Sequence, residues 1–113
     1  MVTEVSVCRG DVFLVALNPT RGQEIHKTRP GVIISNDSAN KYLNRVQVVP
    51  LTSKTDRLFP SEALVVWEGK KNKAMADQLA TVSKARLIKR AGLLSPEDMR
   101  KIEEAIKVQL AMH

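Results

Sequence analysis

Arg29-Pro30-Gly31-Val32-Ile33-Ile34-Ser35 and, after a polar connection, Val46-Gln47-Val48-Val49-Pro50-Leu51-Thr52 decide how this chain folds. Each is a short run rich in β-branched residues, the composition of a strand. The connection carries Asn36, Asp37, Asn40 and Asn44 and is short enough for a direct antiparallel return. Facing residues of an antiparallel pair have numbers with a constant sum. The connection over residues 36–45 centres that sum near 81, and 29 and 52 add to 81. Arg29, just before one strand, therefore lies beside Thr52, just after the other. Pro30 holds Arg29 extended, because its ring disfavours the helical region for the residue before it. Glu24, His26, Lys27, Thr28, Ser53 and Lys54 gather on the same rim. Pro50 implies an edge, a bulge or a strand end, so the register is set to within a residue or two.

Further strands extend to either side. Residues 12–17 (Val-Phe-Leu-Val-Ala-Leu) form a continuous apolar run that reads as a strand buried on both faces. Asn18-Pro19-Thr20-Arg21-Gly22 ends it with residues that accept turn dihedrals cheaply. Residues 62–67 give a fourth strand, and Gly69-Lys70-Lys71-Asn72-Lys73 reads as a basic turn. Short strands are expected at 74–79, 81–83 and 88–93. At Ser95-Pro96-Glu97-Asp98 the period changes: a capping hydroxyl, a proline at the first helical position and two acids mark a helix start. Met99, Ile102, Ile106 and Leu110 then recur at helical spacing and predict an apolar face against the sheet, with a dimer contact as the alternative. Many short strands followed by one helix predict a mainly β domain, a small curved antiparallel sheet or barrel with a C-terminal α-helix.

The chain has 113 residues, enough for a single domain over 1–113. It is 43% hydrophobic and 27% charged, which argues against general disorder. Its net charge is +6 and its pI about 9.8. Residues 95–113 carry three basic and four acidic side chains, which leaves +7 on residues 1–94. A basic body suits a polyanion, either nucleic acid or an acidic protein segment, although such a charge also serves solubility. The single cysteine, Cys8, excludes an intrachain disulfide and a cysteine-based zinc site, and is expected to be a buried thiol near the first strand. The N-terminus lacks the apolar core of a signal peptide, and no apolar run approaches the ~20 residues that span a bilayer. A cytoplasmic protein is expected.

The chemistry narrows by elimination. No glycine-rich phosphate loop, His-Glu-x-x-His motif or acidic cluster suited to two metals is present, and the only histidines are His26 and His113. Catalysis would fall to Arg, Lys, Thr, Ser, Glu or His26. The rim around Arg29 and Thr52 fits RNA cleavage without metal or cofactor. A ribose 2′-hydroxyl attacks the neighbouring phosphorus, and the guanidinium fork matches the phosphate oxygens as their charge grows. The threonine hydroxyl adds a donor, and Glu24 or His26 could take the proton. The same residues have plainer roles open to them: Arg29 paired with Glu24, and Thr52 as a turn residue.

Five segments together carry a family resemblance. Arg9-Gly10-Asp11-Val12 precedes Asn18-Pro19-Thr20-Arg21-Gly22-Gln23-Glu24. Arg29-Pro30-Gly31-Val32-Ile33-Ile34-Ser35, Val49-Pro50-Leu51-Thr52 and Ala76-Asp77-Gln78 follow. In this order and spacing the chain closely resembles the MazF/PemK toxin endoribonucleases of type II toxin–antitoxin systems, from about Arg9 to the C-terminal helix. The resemblance implies an SH3-like small barrel of the PemK/CcdB type and a homodimer. It implies cleavage of single-stranded mRNA to a 2′,3′-cyclic phosphate and a 5′-hydroxyl. It further implies an antitoxin whose acidic, disordered segment occupies the RNA groove. By position, Arg29 and Thr52 match the family's catalytic arginine and threonine, and Glu24 matches an acidic position after the first strand. Thr28 stands where a histidine often precedes the arginine, so the general base stays open. His26, Lys27 and Thr28 are candidate substrate contacts, Ser53 and Lys54 phosphate contacts, and Asp77 and Gln78 either base readers or a capped turn. Among the aromatics, Tyr42 and Phe59 are candidates to stack on bases, and Phe13 and Trp67 to pack in the core. Two alternatives carry different outcomes: a CcdB-like gyrase poison, disfavoured by the Leu110-Ala111-Met112-His113 ending, and an RNA-binding module without catalysis.

Overall fold

β-branched runs need partners on both edges and cover on both faces, and the central strand of this protein obtains all four. In a computed structural model, residues 6–17 and 27–113 are described, apart from the side chain of Lys27. The order is β1 (Asp11–Leu17), β2 (Lys27–Ile33), α1 (Asp37–Tyr42), β3 (Arg45–Thr52), β4 (Glu62–Trp67), β5 (Lys70–Met75), β6 (Ala80–Ser83), β7 (Leu87–Leu93) and α2 (Pro96–Gln109). The sheet runs β4-β5-β3-β2-β1-β7, with β6 also paired to β3, and the strand pairs are antiparallel. No helix among the described residues is long and apolar enough to cross a membrane.

β3 separates two apolar clusters. Val32, Val49 and Leu51 face one, with Val12, Val65 and the α2 residues Met99, Ile102 and Ala105. Ile33, Val46 and Val48 face the other, with Phe13, Val15, Val82 and Leu87. Alternation along the pleat thus divides nearly continuous apolar runs between two cores. Pro50 sits at a partner change. Gln47 directs its N–H to Ser35 on the β2 side, so alternation turns the nitrogen of Pro50 away from β2. There β6 pairing has ended at Val48 and β5 pairing begins at Leu51, so the missing donor leaves no ladder bond unmade.

The helix start is as expected. The Ser95 hydroxyl accepts from Asp98 N–H at 3.1 Å, and Pro96 opens α2. Asp98 accepts in turn from Val66 N–H on the edge strand β4 at 2.8 Å, fastening helix to sheet. Met99 and Ile102 are buried, Ile106 is partly so, and Leu110 is exposed because α2 ends at Gln109. Ala105 takes the inward place one turn beyond Ile102. The Arg9-Gly10-Asp11 motif is structural. Asp11 accepts from Cys8 N–H and pairs with Arg90 at 3.0 Å, while Arg9 joins Ile34 O to Glu103 of α2.

Four local expectations are corrected. The polar connection contains α1, capped by Asn36 accepting from Ala39 N–H at 2.8 Å, with Asn40 buried on Ser35. The basic stretch 69–73 is mostly strand. The turn is only Glu68-Gly69, both at positive φ (54° and 74°), the two-residue hairpin geometry that glycine favours. Strand β5 ends at Met75 and gives way to a 3-10 turn over Ala76–Gln78, so 74–79 is not one strand. Cys8 is exposed, because it lies in the turn before β1 and not in a strand.

Candidate functional site

The pairs Gly31 with Pro50, Val32 with Val49 and Ile33 with Val48 all sum to 81, the register read from the sequence. Arg29 is held further on by pairing with Val15 of β1, and Thr52 by pairing with Lys73 of β5. The two residues meet on the wall of one pocket of about 410 Å³ at the mouth of the barrel. Thr28 and Pro30 line it from β2, Leu51 and Ser53 from the end of β3, and Trp67 and Asn72 from the β4–β5 hairpin.

The pocket wall is polar where β2 begins and β3 ends, and apolar toward the core. Arg29 is half-buried and, among the described residues, its guanidinium makes no ion pair or hydrogen bond. A charged fork with unspent donors, facing a cleft, is available to a phosphate. The Thr52 hydroxyl accepts from Lys54 N–H at 3.2 Å, which fixes Oγ1 and leaves its own hydrogen free to donate.

The loop after Thr52 is clamped from β5. Lys73 pairs with Glu62 at 3.0 Å, with side chains only 11% and 8% exposed. Its ammonium also donates to Arg57 O at 2.7 Å and lies 5.8 Å from the centre of the Phe59 ring. Glu62 accepts from Phe59 N–H at 2.9 Å. Since Lys73 pairs across from Thr52, the same residue steadies the strand end and the loop beyond it.

Of the residues singled out in the sequence, Arg29, Thr52, Thr28 and Ser53 come together here. Lys54 is exposed beside them, its N–H bound to Thr52. Asp77 and Gln78 are exposed on the 3-10 turn beyond β5 and do not line this pocket. Glu24 and His26 lie outside the described residues, as does the Lys27 side chain. Tyr42 and Phe59 are exposed, and Phe13 is buried. Trp67 packs against the core yet also lines the pocket. Asn72 was hidden by the basic composition of its neighbours. Reading 70–75 as a strand would have turned it inward with Ala74, on the side opposite Lys71 and Lys73. Among the described residues, no three His, Cys, Asp or Glu side chains cluster as a metal would require.

Known proteins resemble this chain in sequence and in architecture. The chain is 33% identical over 111 residues to Endoribonuclease MazF9 of Mycobacterium tuberculosis, covering 90% of this chain and 94% of that one. It is 33% identical over 110 residues to Endoribonuclease MazF of Staphylococcus saprophyticus, covering 93% and 92%. A solved mycobacterial endoribonuclease, in complex with its cognate antitoxin, superposes with a TM-score of 0.78 at 26% identity, covering 95% of this chain and 97% of that one. The profile of the PemK-like, MazF-like toxins of type II toxin–antitoxin systems matches residues 8–110. Antiparallel sheet, terminal helix and sequence agree: this chain belongs to the PemK-like, MazF-like toxin family.

Proposed function

We propose that this MazF-type endoribonuclease is the toxin of a toxin–antitoxin pair and cuts single-stranded mRNA at short sequences. The observation that supports this most directly is the meeting of Arg29 and Thr52 on one pocket wall, where a phosphate can be gripped by a guanidinium and a hydroxyl together. The ribose 2′-oxygen attacks the adjacent phosphorus as its proton passes to a base, Glu24 or His26. The bond from phosphorus to the 5′-oxygen breaks, and that oxygen takes up a proton. The products are a 2′,3′-cyclic phosphate and a 5′-hydroxyl. Negative charge builds on the non-bridging oxygens in between, and Arg29 and Thr52 stabilise it without a metal or cofactor. Ser53 and Lys54 hold the flanking phosphate, His26, Lys27 and Thr28 are further substrate contacts, and Asp77 and Gln78 read bases farther along the RNA.

The whole of residues 1–113 acts as one cytoplasmic toxin domain, working as a homodimer. Exposed Val66, Ile88, Leu93 and Val108 offer apolar area for that contact. The net charge of +6 favours both RNA and the acidic, disordered segment of a cognate antitoxin. The test is cleavage of a long mixed-sequence RNA by wild type, Arg29→Ala and Thr52→Ala, with and without EDTA, followed by sequencing of the 5′ ends. The expected result is EDTA-insensitive cutting by wild type and a loss of about 10²–10³-fold in the Arg29 variant, the usual cost of one charge-stabilising donor. Intact RNA with wild type, or equal cutting by Arg29→Ala, overturns the proposal.

A further inference from the structure

The barrel mouth holds a carboxamide that the phosphate chemistry leaves unused. Asn72 is 4% exposed and lines the same pocket as Arg29 and Thr52. It shares its face of β5 with Ala74, in the core, where an apolar side chain would be the default because burying an amide costs unless it is fully hydrogen-bonded. Its Nδ2 donates to Lys70 O at 3.3 Å, a long contact within its own strand. Its Oδ1 has no partner among the described residues. No fully buried side-chain nitrogen or oxygen among them lacks a partner, so this oxygen is not fully buried, and the pocket is the opening that Asn72 lines.

Trp67 stands in the same pocket with its indole pinned. Nε1 donates to Ala91 O at 2.8 Å, and the ring edge lies so close to Gly92 that a Cβ there would sit 2.8 Å from Nε1. An indole anchored at its N–H keeps a fixed orientation and presents a rigid apolar wall. A pocket of about 410 Å³ falls within the size range of small-ligand sites and admits one nucleotide.

We propose that Trp67 and Asn72 form a nucleobase subsite joined to the phosphate grip of Arg29 and Thr52. The base of a nucleotide at the scissile bond lies against the indole, and the Asn72 carboxamide bonds its polar edge. Asn72 thereby selects the base at one position of the cut sequence. The subsite rests on the RNA-cleavage proposal above and names what that site reads. A carboxamide offers a donor and an acceptor side by side, as does the Watson–Crick edge of every base. A mismatched edge leaves a desolvated group unpaired, and this is what gives discrimination.

Two measurements decide it. Trp67 is the only tryptophan, so its emission reports occupancy without turnover. Short single-base oligonucleotides of 2′-deoxy sugars cannot be cut, since they lack the attacking hydroxyl. Titrated into wild type, one of the four is expected to change Trp67 emission with a Kd about tenfold lower than the others, the scale of one bidentate base contact. Asn72→Ala and the smaller change Asn72→Ser are expected to bring the four affinities together, with thermal melting used to verify folding. In the second measurement, 5′ ends from a long RNA are sequenced. Both variants are expected to lose base preference at one position beside the cut while keeping the others. Equal affinity of wild type for all four oligonucleotides overturns the subsite, even should neither variant fold. So does an unchanged cut sequence in a folded Asn72 variant. If wild type cuts no RNA, the cleavage proposal fails alone: base-selective emission then still supports the subsite, and its absence rejects it.

Discussion

Gly92→Ala tests how the barrel mouth is closed. Trp67 ends the edge strand β4, and its indole reaches across to Ala91 O on the opposite edge strand, β7, at 2.8 Å. A methyl group at position 92 would lie 2.8 Å from Nε1 and 3.0 Å from Cδ1, contacts that rigid ring atoms cannot relieve without moving. The backbone there also has φ of 150°, a region that side chains other than glycine's rarely enter. Displacing the indole forfeits a hydrogen bond worth about 1 kcal/mol net. The backbone strain adds about 1–3 kcal/mol. The variant should therefore be about 2–4 kcal/mol less stable, a large part of the stability of a small domain. In urea, taking a slope of about 2 kcal/mol per molar for a small protein, the midpoint should fall by about 1–2 M. The assay is urea unfolding followed by circular dichroism, at equal protein concentration so that any association is held constant. Trp67→Phe supplies the control, since it lacks the N–H and the five-membered ring. Adding Gly92→Ala to it should cost at least about 1 kcal/mol less than in wild type, the non-additivity expected of residues in contact. A midpoint for Gly92→Ala within error of wild type, or strict additivity with Trp67→Phe, would show that the indole does not hold this seam.

Other perturbations probe separate links. Arg29→Lys keeps the charge but loses the planar fork, so its cleavage rate should fall between those of wild type and Arg29→Ala, with melting unchanged. Lys73→Ala strands the Glu62 carboxylate, which is 8% exposed, and should cost about 3 kcal/mol in chemical denaturation; Glu62→Leu with Lys73→Met should recover most of it. Limited proteolysis of Lys73→Ala should also reveal new cuts between Thr52 and Glu62, where the clamp no longer holds Arg57 and Phe59. Ile102→Ala empties a fully buried position between α2 and the sheet and should cost about 2–5 kcal/mol in the same measurement.

The sequence alone determined most of the strands, the β2–β3 register and the terminal helix. These rest on local rules: β-branched runs alternate across a pleat, a short connection fixes a constant sum, and Ser95 with Pro96 starts a helix whatever surrounds it. The meeting of Arg29 with Thr52 followed from that register, and so was legible. The segment motifs likewise carried the family. What lay beyond local rules came out differently. A helix one and a half turns long, such as α1, has too few residues for a periodic signal, and the lysines of β5 concealed a strand because one of its faces is exposed. Whether Leu110 or Ala105 is buried depends on where α2 stops against the sheet. Only the tertiary structure brought Trp67 and Asn72 to the same pocket as Arg29. That juxtaposition requires the sheet to curl until β4 meets β7, and curvature is a sum of twists and bulges over every strand, such as the two register shifts between β1 and β7, which no single segment encodes.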